Sequence, residues 1–487
     1  MAITQEIEST TFSSDYPVPL WLNGKEVSTS NKLEVISPLT GKPVHSASAA
    51  SVEDVHAAVA AAKAALPAWS ATKPSERRDL LLRAADEFER RRGDLWYFCK
   101  YETGSTPGFH DFDFKDMIEN LRSTAGLIGS VTTATAPVLG QTGRSGMVVV
   151  EPYGVVVAIA PWNAPCILGS RSFVGPLAMG NTVILKGSEY SPGLYWALAD
   201  VFHSVGLPAG VLNTLYNRLE DAAQVTEALI VAPEVKKINF CGSTMVGSII
   251  AGLAGKHLKP VLTELGGKAP AIVCEDADLE NAALHCTLGA FLNSGQICMS
   301  TERILVNRKI YEPFKVALKA AIDQIFDQDP EYVCISSRPV EKVRKMIFDA
   351  VEKGANTVHG DLKETFHLAT RMRPIVLEDV KKGMDLYHQE SFGPTVSLFV
   401  VDNDEEAIHI ANDTDYGLAS SVFTEDLRRG LKIARSIETG AVHINSMSVH
   451  DESCMPHGGA KKSGWGRFNG VEGLKEWVRT KNVTWKD

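Results

Sequence analysis

The amino-acid sequence predicts an α/β fold built from parallel sheets and crossover helices. Short runs rich in β-branched residues recur from residue 146 onward, and stretches of helical length separate several of them. Strand–helix alternation of this kind is typical of parallel sheets whose faces are covered by helices. The runs are Met147–Val150, Val155–Ile159, Thr182–Leu185, Lys237–Phe240 and Ala271–Val273.

Length and composition narrow the class of protein. The chain has 487 residues, which at about 150 residues per domain favours two or three domains. Hydrophobic residues make up 44% and charged residues 22%, which are ordinary values for a globular protein. The net charge of -10 argues against nonspecific binding to nucleic acid or to an anionic membrane. The sequence contains no run of about 18 apolar residues that would predict a membrane span. We therefore expect neither a nucleic acid nor a membrane as a partner.

The start of the chain and its cysteines predict a cytoplasmic location. Met1–Pro19 contains no lysine or arginine, unlike a secretory signal or a transit peptide. We expect the first 20 residues to form a loose arm. None of the eight cysteines forms a C-x-x-C pair, so zinc sites are disfavoured and no metal site is predicted. Reduced thiols are typical of cytoplasmic proteins.

Two helices and a β arm are predicted outside the strand–helix series. Ser51–Asp54 forms a capping box for a helix that extends to about Ala65, and a second helix follows Pro74. The strand at 147–151 follows several glycines closely, which predicts a hairpin arm outside the main sheet. The last run, Val478–Trp485, alternates as a strand does. Its partner is either in its own subunit or across a subunit boundary, and both alternatives stay open.

Three side chains are candidates for chemistry. Cys298 follows polar and glycine residues, which suits an accessible nucleophile, although a buried cysteine is more often an apolar filler. Glu264 precedes a glycine pair and could act as a general base; the alternative is a surface carboxylate before a turn. Asn163 lies between two prolines at the end of a strand. It could donate to an oxyanion or simply occupy a turn.

Two further segments suggest a dinucleotide site although the G-x-G-x-x-G fingerprint is missing. The turn Gly242–Ser243 follows a strand and begins a helix, which makes it a site for an anion such as a pyrophosphate. Lys186–Glu189 follows another strand, where a carboxylate binds ribose hydroxyls and disfavours a 2′-phosphate.

Together these segments resemble the aldehyde dehydrogenase superfamily over essentially the whole chain. The matching blocks, in family order and spacing, are APWN (160–163), KGSE (186–189), FCGSTMVG (240–247), ELGGK (264–268), GQICMS (295–300), ESFGP (390–394) and GGAKKSGWGR (458–467). Within the superfamily, KGSE, INFCGST (238–244) and QICMSTER (296–303) look most like the salicylaldehyde and vanillin dehydrogenases, which implies an aromatic aldehyde substrate.

The resemblance implies an NAD-dependent oxidation of the aldehyde to a carboxylic acid. Cys298 would attack the aldehyde carbon, and Asn163 with the Cys298 backbone N–H would stabilise the oxyanion. Hydride would pass to the nicotinamide, and Glu264 would deprotonate the water that hydrolyses the thioester. Because branches that transfer the acyl group to coenzyme A usually lack this base, Glu264 favours a free acid as product.

The resemblance also implies the cofactor and substrate residues. Lys186 and Glu189 would hold the adenosine ribose, which favours NAD, although relatives with this carboxylate also use NADP. The other cofactor residues implied are Ser243 and Trp162 near the pyrophosphate, Glu390 at the nicotinamide ribose and Phe392 beside it. The substrate pocket implied contains Arg171, His450 and His457, which would suit a ring with hydroxyl or carboxylate groups. The alternative is that Arg171 pairs with a structural carboxylate and the histidines face solvent.

The implied architecture has three parts and assembles into a homodimer or homotetramer. A Rossmann-type NAD-binding domain comprises 1–130 and 152–265, a catalytic α/β domain comprises 266–474, and a small β oligomerisation arm comprises 131–151 and 475–487. The chain departs from the family at Ser336–Ser337, where relatives usually have Gly-Pro, and its loop around 359–374 is shortened. The loops at 327–374 are therefore left without a predicted structure.

Three rival functions remain. An aliphatic aldehyde or semialdehyde dehydrogenase differs from the leading hypothesis only in the pocket. A cofactor-independent cysteine esterase would use Cys298 and Glu264 but would not need Lys186 or Glu390. A non-catalytic scaffold would not need the nucleophile, the base and the oxyanion donor together.

Overall fold

A computed structural model describes residues 17–326 and 332–487. Most of the predicted N-terminal arm, residues 1–16, lies outside this range. The prediction is wrong where the arm ends, because Leu20–Leu22 is a strand whose side chains are buried. Val18 and Leu20 are both fully buried, so their burial holds this segment against the core.

The first sheet has eight strands, and its central five are parallel. In spatial order they are Lys25–Val27, Leu20–Leu22, Leu212–Leu215, Thr182–Lys186, Val155–Ile159, Val235–Cys241, Val261–Glu264 and Gly464–Trp465. The central five, numbered along the chain, are ordered 3-2-1-4-5, the order of a doubly wound Rossmann-type sheet. The predicted strands are therefore confirmed, and the sheet is doubly wound.

The order in which strands are added to the sheet reverses at Val155–Ile159. Two strands follow on one side of it, and Val235–Cys241 is its direct neighbour on the other side. Connections leave to opposite sides at this point, so a crevice forms beyond the carboxyl ends of the two strands. Asn163 follows the first of these strands and Ser243 follows the second. Two predicted site residues thus lie at the edge where α/β sheets bind ligands.

The second sheet has seven strands and carries the segments around Cys298. In spatial order they are Asn356–His359, Ile375–Glu378, Thr395–Val401, Thr301–Asn307, Ala269–Val273, Ser421–Phe423 and His443–Ile444. All neighbours are parallel except the first pair. Cys298 precedes the strand Thr301–Asn307, and Glu264 precedes the strand Ala269–Val273. Both residues line the crevice of the first sheet.

Helices cover the sheets and connect their strands. The helix predicted from the capping box begins as expected, because the Ser51 hydroxyl accepts from Asp54 N, and it extends beyond Ala65. The α-helices are Val52–Ser70, Pro74–Arg90, Arg92–Phe98, Pro107–Val131, Pro165–Ala178, Pro192–Ser204, Ala222–Val231, Thr244–Lys256, Leu279–Phe291, Tyr311–Phe326, Ser337–Glu352, Asp385–His388, Asp404–Asn412, Leu427–Ser436 and Gly470–Lys475. Within the described ranges, none of the helices is long and apolar enough to cross a bilayer.

The C-terminal strand pairs within its own chain. Val478–Lys486 runs antiparallel to Arg144–Pro152 over nine residue pairs. The fully buried Asn181 side chain donates to the carbonyl of Trp477 and so anchors the start of this ribbon to the first sheet. The strand is thus paired within its own chain, and a further pairing across a subunit boundary stays a prediction.

Three short pairings complete the chain. Lys32–Ile36 pairs with Pro43–Ser48, and Tyr416–Gly417 pairs with Ala460–Lys461. Gly464–Trp465 joins the edge of the first sheet, although the sequence analysis assigned 266–474 to the catalytic domain. The division into domains stays a prediction.

Candidate active site

Two cavities meet at Cys298. The larger one, about 520 Å³, lies in the crevice at the sheet switch point. A much smaller one, about 30 Å³, also reaches the cysteine and is lined by the helices Pro107–Val131 and Pro165–Ala178. Four residues line both cavities, namely Asn163, Leu168, Glu264 and Cys298. The three predicted catalytic side chains therefore form the wall between the two spaces.

The loop that carries Cys298 is held in an unusual backbone conformation. Asn293, Ser294 and Gly295 have φ angles of 51°, 57° and 70° in succession. Two of these residues are not glycine, so the loop stores strain of a kind that clusters at functional sites. Gly267 of the ELGGK segment faces the same loop, and a Cβ there would lie 2.0 Å from the Cys298 carbonyl oxygen. A glycine is required at 267 for this close approach.

Asn163 is fixed beside the cysteine loop. Its side-chain Nδ2 donates to the Gln296 carbonyl at 3.0 Å, and its own carbonyl accepts from the Asn293 side chain at 2.9 Å. One N–H of the Asn163 amide is used by the loop, which leaves the second for a ligand. Within the described residues the backbone N–H of Cys298 has no acceptor. Two donors beside one sulfur have the composition of an oxyanion hole.

Glu264 is buried and contacts both Cys298 and a guanidinium. The Cys298 thiol donates to Glu264 Oε1 at 3.1 Å, and Arg171 Nη2 lies 2.5 Å from Oε2. Burial opposes ionisation of Glu264, but Arg171 and His457, together with the hydrogen bond from Cys298, outweigh it and hold the pKa of Glu264 well below its ordinary value. Glu264 is therefore ionised in this arrangement.

The Cys298 thiol is stabilised in its protonated form. Burial and the negative charge of Glu264 both raise the pKa of Cys298 well above its ordinary value. A thiolate is needed for nucleophilic attack, so the sulfur has to lose its proton when the reaction begins. Glu264 Oε1 is the base already within hydrogen-bond distance.

Arg171 is shared between two carboxylates. Its Nη1 lies 2.5 Å from Asp451 Oδ2, and its guanidinium stacks over the Phe468 ring at 4.8 Å. His457 lies 3.5 Å from Glu264 and 3.6 Å from Asp451. The sequence analysis expected Arg171 to hold a substituent of the substrate. Both terminal nitrogens instead bind protein carboxylates, one of which is the predicted base itself.

The two predicted pocket histidines differ in position. His457 is 6% exposed and touches Glu264 as described. The His450 side chain is 39% exposed, lies 3.1 Å from Glu452 and packs edge-on to His443. Neither His450 nor His457 is among the residues that line the smaller cavity, so their place in the substrate pocket stays a prediction.

The larger cavity has the features of a dinucleotide site. Ser243 caps the 13-residue helix Thr244–Lys256, which directs the positive end of the helix dipole into the cavity. Lys186, at the end of its strand, is 6% exposed, and its ammonium has no acceptor among the described residues. Burial lowers the pKa of Lys186. An ammonium at this edge can donate to the hydroxyls of a nucleotide ribose.

The remaining predicted cofactor residues line or adjoin the same cavity. Trp162 packs edge-on against Phe392 at 6.0 Å and against Tyr190 at 6.1 Å. Glu390 accepts from Gly267 N at 2.8 Å, and burial raises the pKa of Glu390 to about 7. Glu189 lies in an adjoining cavity that shares Tyr190 with the first.

Several residues of the site were not predicted from the sequence. Gln296 binds Ile335 N and the Val333 carbonyl, which ties the cysteine loop to the segment at 333–335. Ser336 and Lys342 line the larger cavity, so the Ser336–Ser337 departure lies at its wall, although it is remote from the motifs in sequence. Asp116 and Asp451 line the smaller cavity and belong to no motif. Of these residues, only those at 336–337 were marked in the sequence, by their departure from the family pattern.

Three potential metal ligands also meet in the described part of the chain, although no metal site was predicted. Cys99, His110 and Cys166 have their ligand atoms within 4.8 Å of one another. Burial raises the pKa of the Cys166 thiol well above its ordinary value. Because metals bind thiolates, a thiol that keeps its proton favours a packing role for these cysteines over a metal site.

Comparison with known proteins identifies the family. The family model described as the aldehyde dehydrogenase family matches residues 25–483. A vanillin dehydrogenase from Pseudomonas sp. is 41% identical over 96% of this chain and 98% of its own length. A salicylaldehyde dehydrogenase from Pseudomonas putida is 37% identical, over 95% of this chain and 96% of its own length.

A solved structure gives the same result. The crystal structure of a salicylaldehyde dehydrogenase from Pseudomonas putida, complexed with salicylaldehyde, superimposes with a TM-score of 0.92 at 35% identity. It covers 97% of this chain and 98% of that one. The chain therefore belongs to the aldehyde dehydrogenase family, as an NAD(P)-dependent enzyme.

Proposed function

We propose that this enzyme oxidises substituted aromatic aldehydes to their carboxylic acids, with NAD as the preferred cofactor. The observation that carries the substrate class is the smaller cavity. Phe109 and Phe112 form its wall together with aliphatic and sulfur-containing side chains, and the reacting sulfur faces this space. The apolar residues are Phe109, Phe112, Ala164, Ile167, Leu168, Ile297, Met299 and Val449. Aromatic walls suit a flat apolar ring, and the vanillin and salicylaldehyde dehydrogenases among the relatives support this assignment.

The reaction begins with a proton transfer. Glu264 Oε1, 3.1 Å from the sulfur, accepts the Cys298 proton, and the thiolate attacks the aldehyde carbon. The new oxyanion lies where the Asn163 amide and the Cys298 N–H converge. Hydrogen bonds formed only at this stage lower the barrier, and loss of one such donor typically costs about 10²- to 10³-fold in kcat.

The second half of the reaction releases the acid. A nicotinamide held in the larger cavity would supply the acceptor for the hydride of the former aldehyde carbon. After Glu264 has released the Cys298 proton to solvent, it removes a proton from water, which attacks the thioester carbon while the Cys298 sulfur leaves as the thiolate. Because Glu264 lines both cavities, a single carboxylate reaches the sulfur and the water.

The cofactor is bound by this chain's own side chains and one helix terminus. Lys186 and Glu189 would bind the adenosine ribose, Ser243 and Trp162 would lie along the pyrophosphate, and Glu390 would bind the nicotinamide ribose beside Phe392. The carboxylate of Glu189 disfavours a 2′-phosphate, which supports NAD over NADP.

Assembly and location are also proposals. We propose a homodimer or a homotetramer, because Met245 and Ile249 are 73% and 66% exposed on one face of Thr244–Lys256. Trp485 on the C-terminal strand is 44% exposed as well. All eight cysteines are free thiols, which supports a cytoplasmic location.

The decisive measurement is NADH formation with a panel of aldehydes. Benzaldehyde, salicylaldehyde, vanillin, a medium-chain aliphatic aldehyde and succinic semialdehyde are compared, with Cys298→Ala as the blank. We expect Cys298-dependent turnover that is fastest on the substituted benzaldehydes. Turnover confined to aliphatic aldehydes or the semialdehyde would refute the aromatic assignment, and aldehyde-independent ester hydrolysis without NAD would favour the esterase.

A further inference from the structure

The smaller cavity contains a carboxylate that the reaction does not use. Phe109, Phe112 and Asp116 lie at positions i, i+3 and i+7 of the helix Pro107–Val131, so one helix face presents all three to the cavity. The Asp116 side chain is only partly buried and has no hydrogen-bond donor or ion-pair partner in the described part of the chain. Such a carboxylate can accept a hydrogen bond from a ligand that enters the cavity.

The charges around Asp116 do not neutralise it. Arg171 is the cation that faces it, and this guanidinium already binds Glu264 and Asp451. The other charged groups that act on Asp116 are carboxylates, namely Asp113, Asp451 and Glu452. Burial and the charge of Asp451 raise the pKa of Asp116 to about 7. One guanidinium therefore serves several carboxylates, and at a pH above about 7, where Asp116 is ionised, the wall of the cavity is electronegative.

We propose that Asp116 is a specificity-determining residue, which accepts a hydrogen bond from a hydroxyl group on the aldehyde and disfavours aldehydes that carry an anionic substituent. This inference rests on the proposed function and refines its substrate. A hydroxyl group satisfies the carboxylate, whereas an unsubstituted ring leaves it unpaired. A carboxylate on the substrate would face Asp116 and Asp451, and Arg171, the cation that lines this cavity, already binds two protein carboxylates.

This inference replaces the sequence-based expectation for the pocket. That expectation assigned Arg171 to grip either a hydroxyl or a carboxylate. With both Arg171 nitrogens engaged, hydroxylated and carboxylated aldehydes are no longer equivalent, and the pocket separates them by charge.

The test compares ratios of kcat/KM rather than absolute rates. Benzaldehyde, the three hydroxybenzaldehydes and the three carboxybenzaldehydes are measured with the wild type, Asp116→Asn and Asp116→Leu. We expect the wild type to prefer at least one hydroxybenzaldehyde over benzaldehyde by about 10- to 100-fold, the range for a hydrogen bond to a charged group. Asp116→Leu should abolish that preference, and Asp116→Asn should raise the relative kcat/KM of a carboxybenzaldehyde about tenfold or more.

The control is Glu119→Gln, which removes an exposed carboxylate from the same helix and should leave all ratios unchanged. Circular dichroism and thermal unfolding check that each variant is folded, and Asp116→Asn keeps the side-chain shape if Asp116→Leu does not fold. Benzaldehyde turnover by the wild type with the same ratios in all variants would overturn the role of Asp116. Absence of any aromatic turnover by the wild type would overturn the proposed function instead, and with it the inference.

Discussion

The two cavities that meet at Cys298 are built in different ways. The larger cavity takes its key groups from turns that directly follow parallel strands, at Asn163 and Ser243. The smaller cavity is formed mainly by side chains on two helices and a late loop, with Asp116, Arg171, Glu264 and Asp451 as its charged groups. Strand ends are positioned by backbone pairing, whereas Arg171 and Asp451 are positioned by the ion pair between them. The first arrangement follows from the fold, and the second depends on which side chains meet.

The largest effect is expected at the wall that both cavities share. Glu264→Gln removes the base for thioester hydrolysis and keeps the side-chain size, so we expect steady-state kcat to fall by about 10²- to 10⁴-fold. Stopped-flow measurement of NADH formation shows which half of the reaction is slow in this variant.

A burst of up to one NADH per active site, followed by slow turnover, would place the main defect in hydrolysis. A variant with no burst would show that Glu264 is needed mainly to deprotonate Cys298. Wild-type kinetics in Glu264→Gln would contradict both roles.

A smaller and more specific effect is expected on the aldehyde side. Arg171 lowers the pKa of Glu264, so its removal in Arg171→Met raises that pKa. Since Glu264 has to be ionised to act as a base, the acidic limb of the kcat/KM profile should move to higher pH by about one unit or more.

Arg171→Lys keeps the charge and serves as the control, with a smaller shift expected. Arg171→Met also leaves two buried carboxylates without their cation, which typically costs about 3–5 kcal/mol of stability. The double variant with Asp451→Asn should recover part of this loss in thermal unfolding. An acidic limb that does not move in Arg171→Met would show that the pair is structural only.

The smallest effect is expected on the cofactor side. Glu189→Gln removes the negative charge that disfavours a 2′-phosphate, so the ratio of kcat/KM for NADP to that for NAD should rise about tenfold, with kcat for NAD little changed. Glu220→Gln, an exposed carboxylate that also lines the adjoining cavity, is the matched control. An unaltered ratio in Glu189→Gln would assign cofactor preference to other residues.

Much of the architecture could be predicted from local pattern. Strand runs such as Val155–Ile159, the capping box at Ser51 and the motif glycines each reflect short-range constraints of backbone and side chain. The prediction was wrong at Leu20–Leu22, because this short strand has neither a helical nor an alternating pattern and is held in place by burial in the core. The sheet edge formed by Gly464–Trp465 was also missed, since two residues carry no periodicity.

The sequence by itself determined the family, the fold class and the identity of the nucleophile, the base and the oxyanion donor as hypotheses. These depend on residues that are contiguous in the chain, and a strand followed by a tight turn has few conformations available. Only the tertiary structure decided which charges meet. Asp116, Arg171, Glu264 and Asp451 come from four distant segments, and the sharing of one guanidinium depends on distances of a few ångströms that no local pattern encodes.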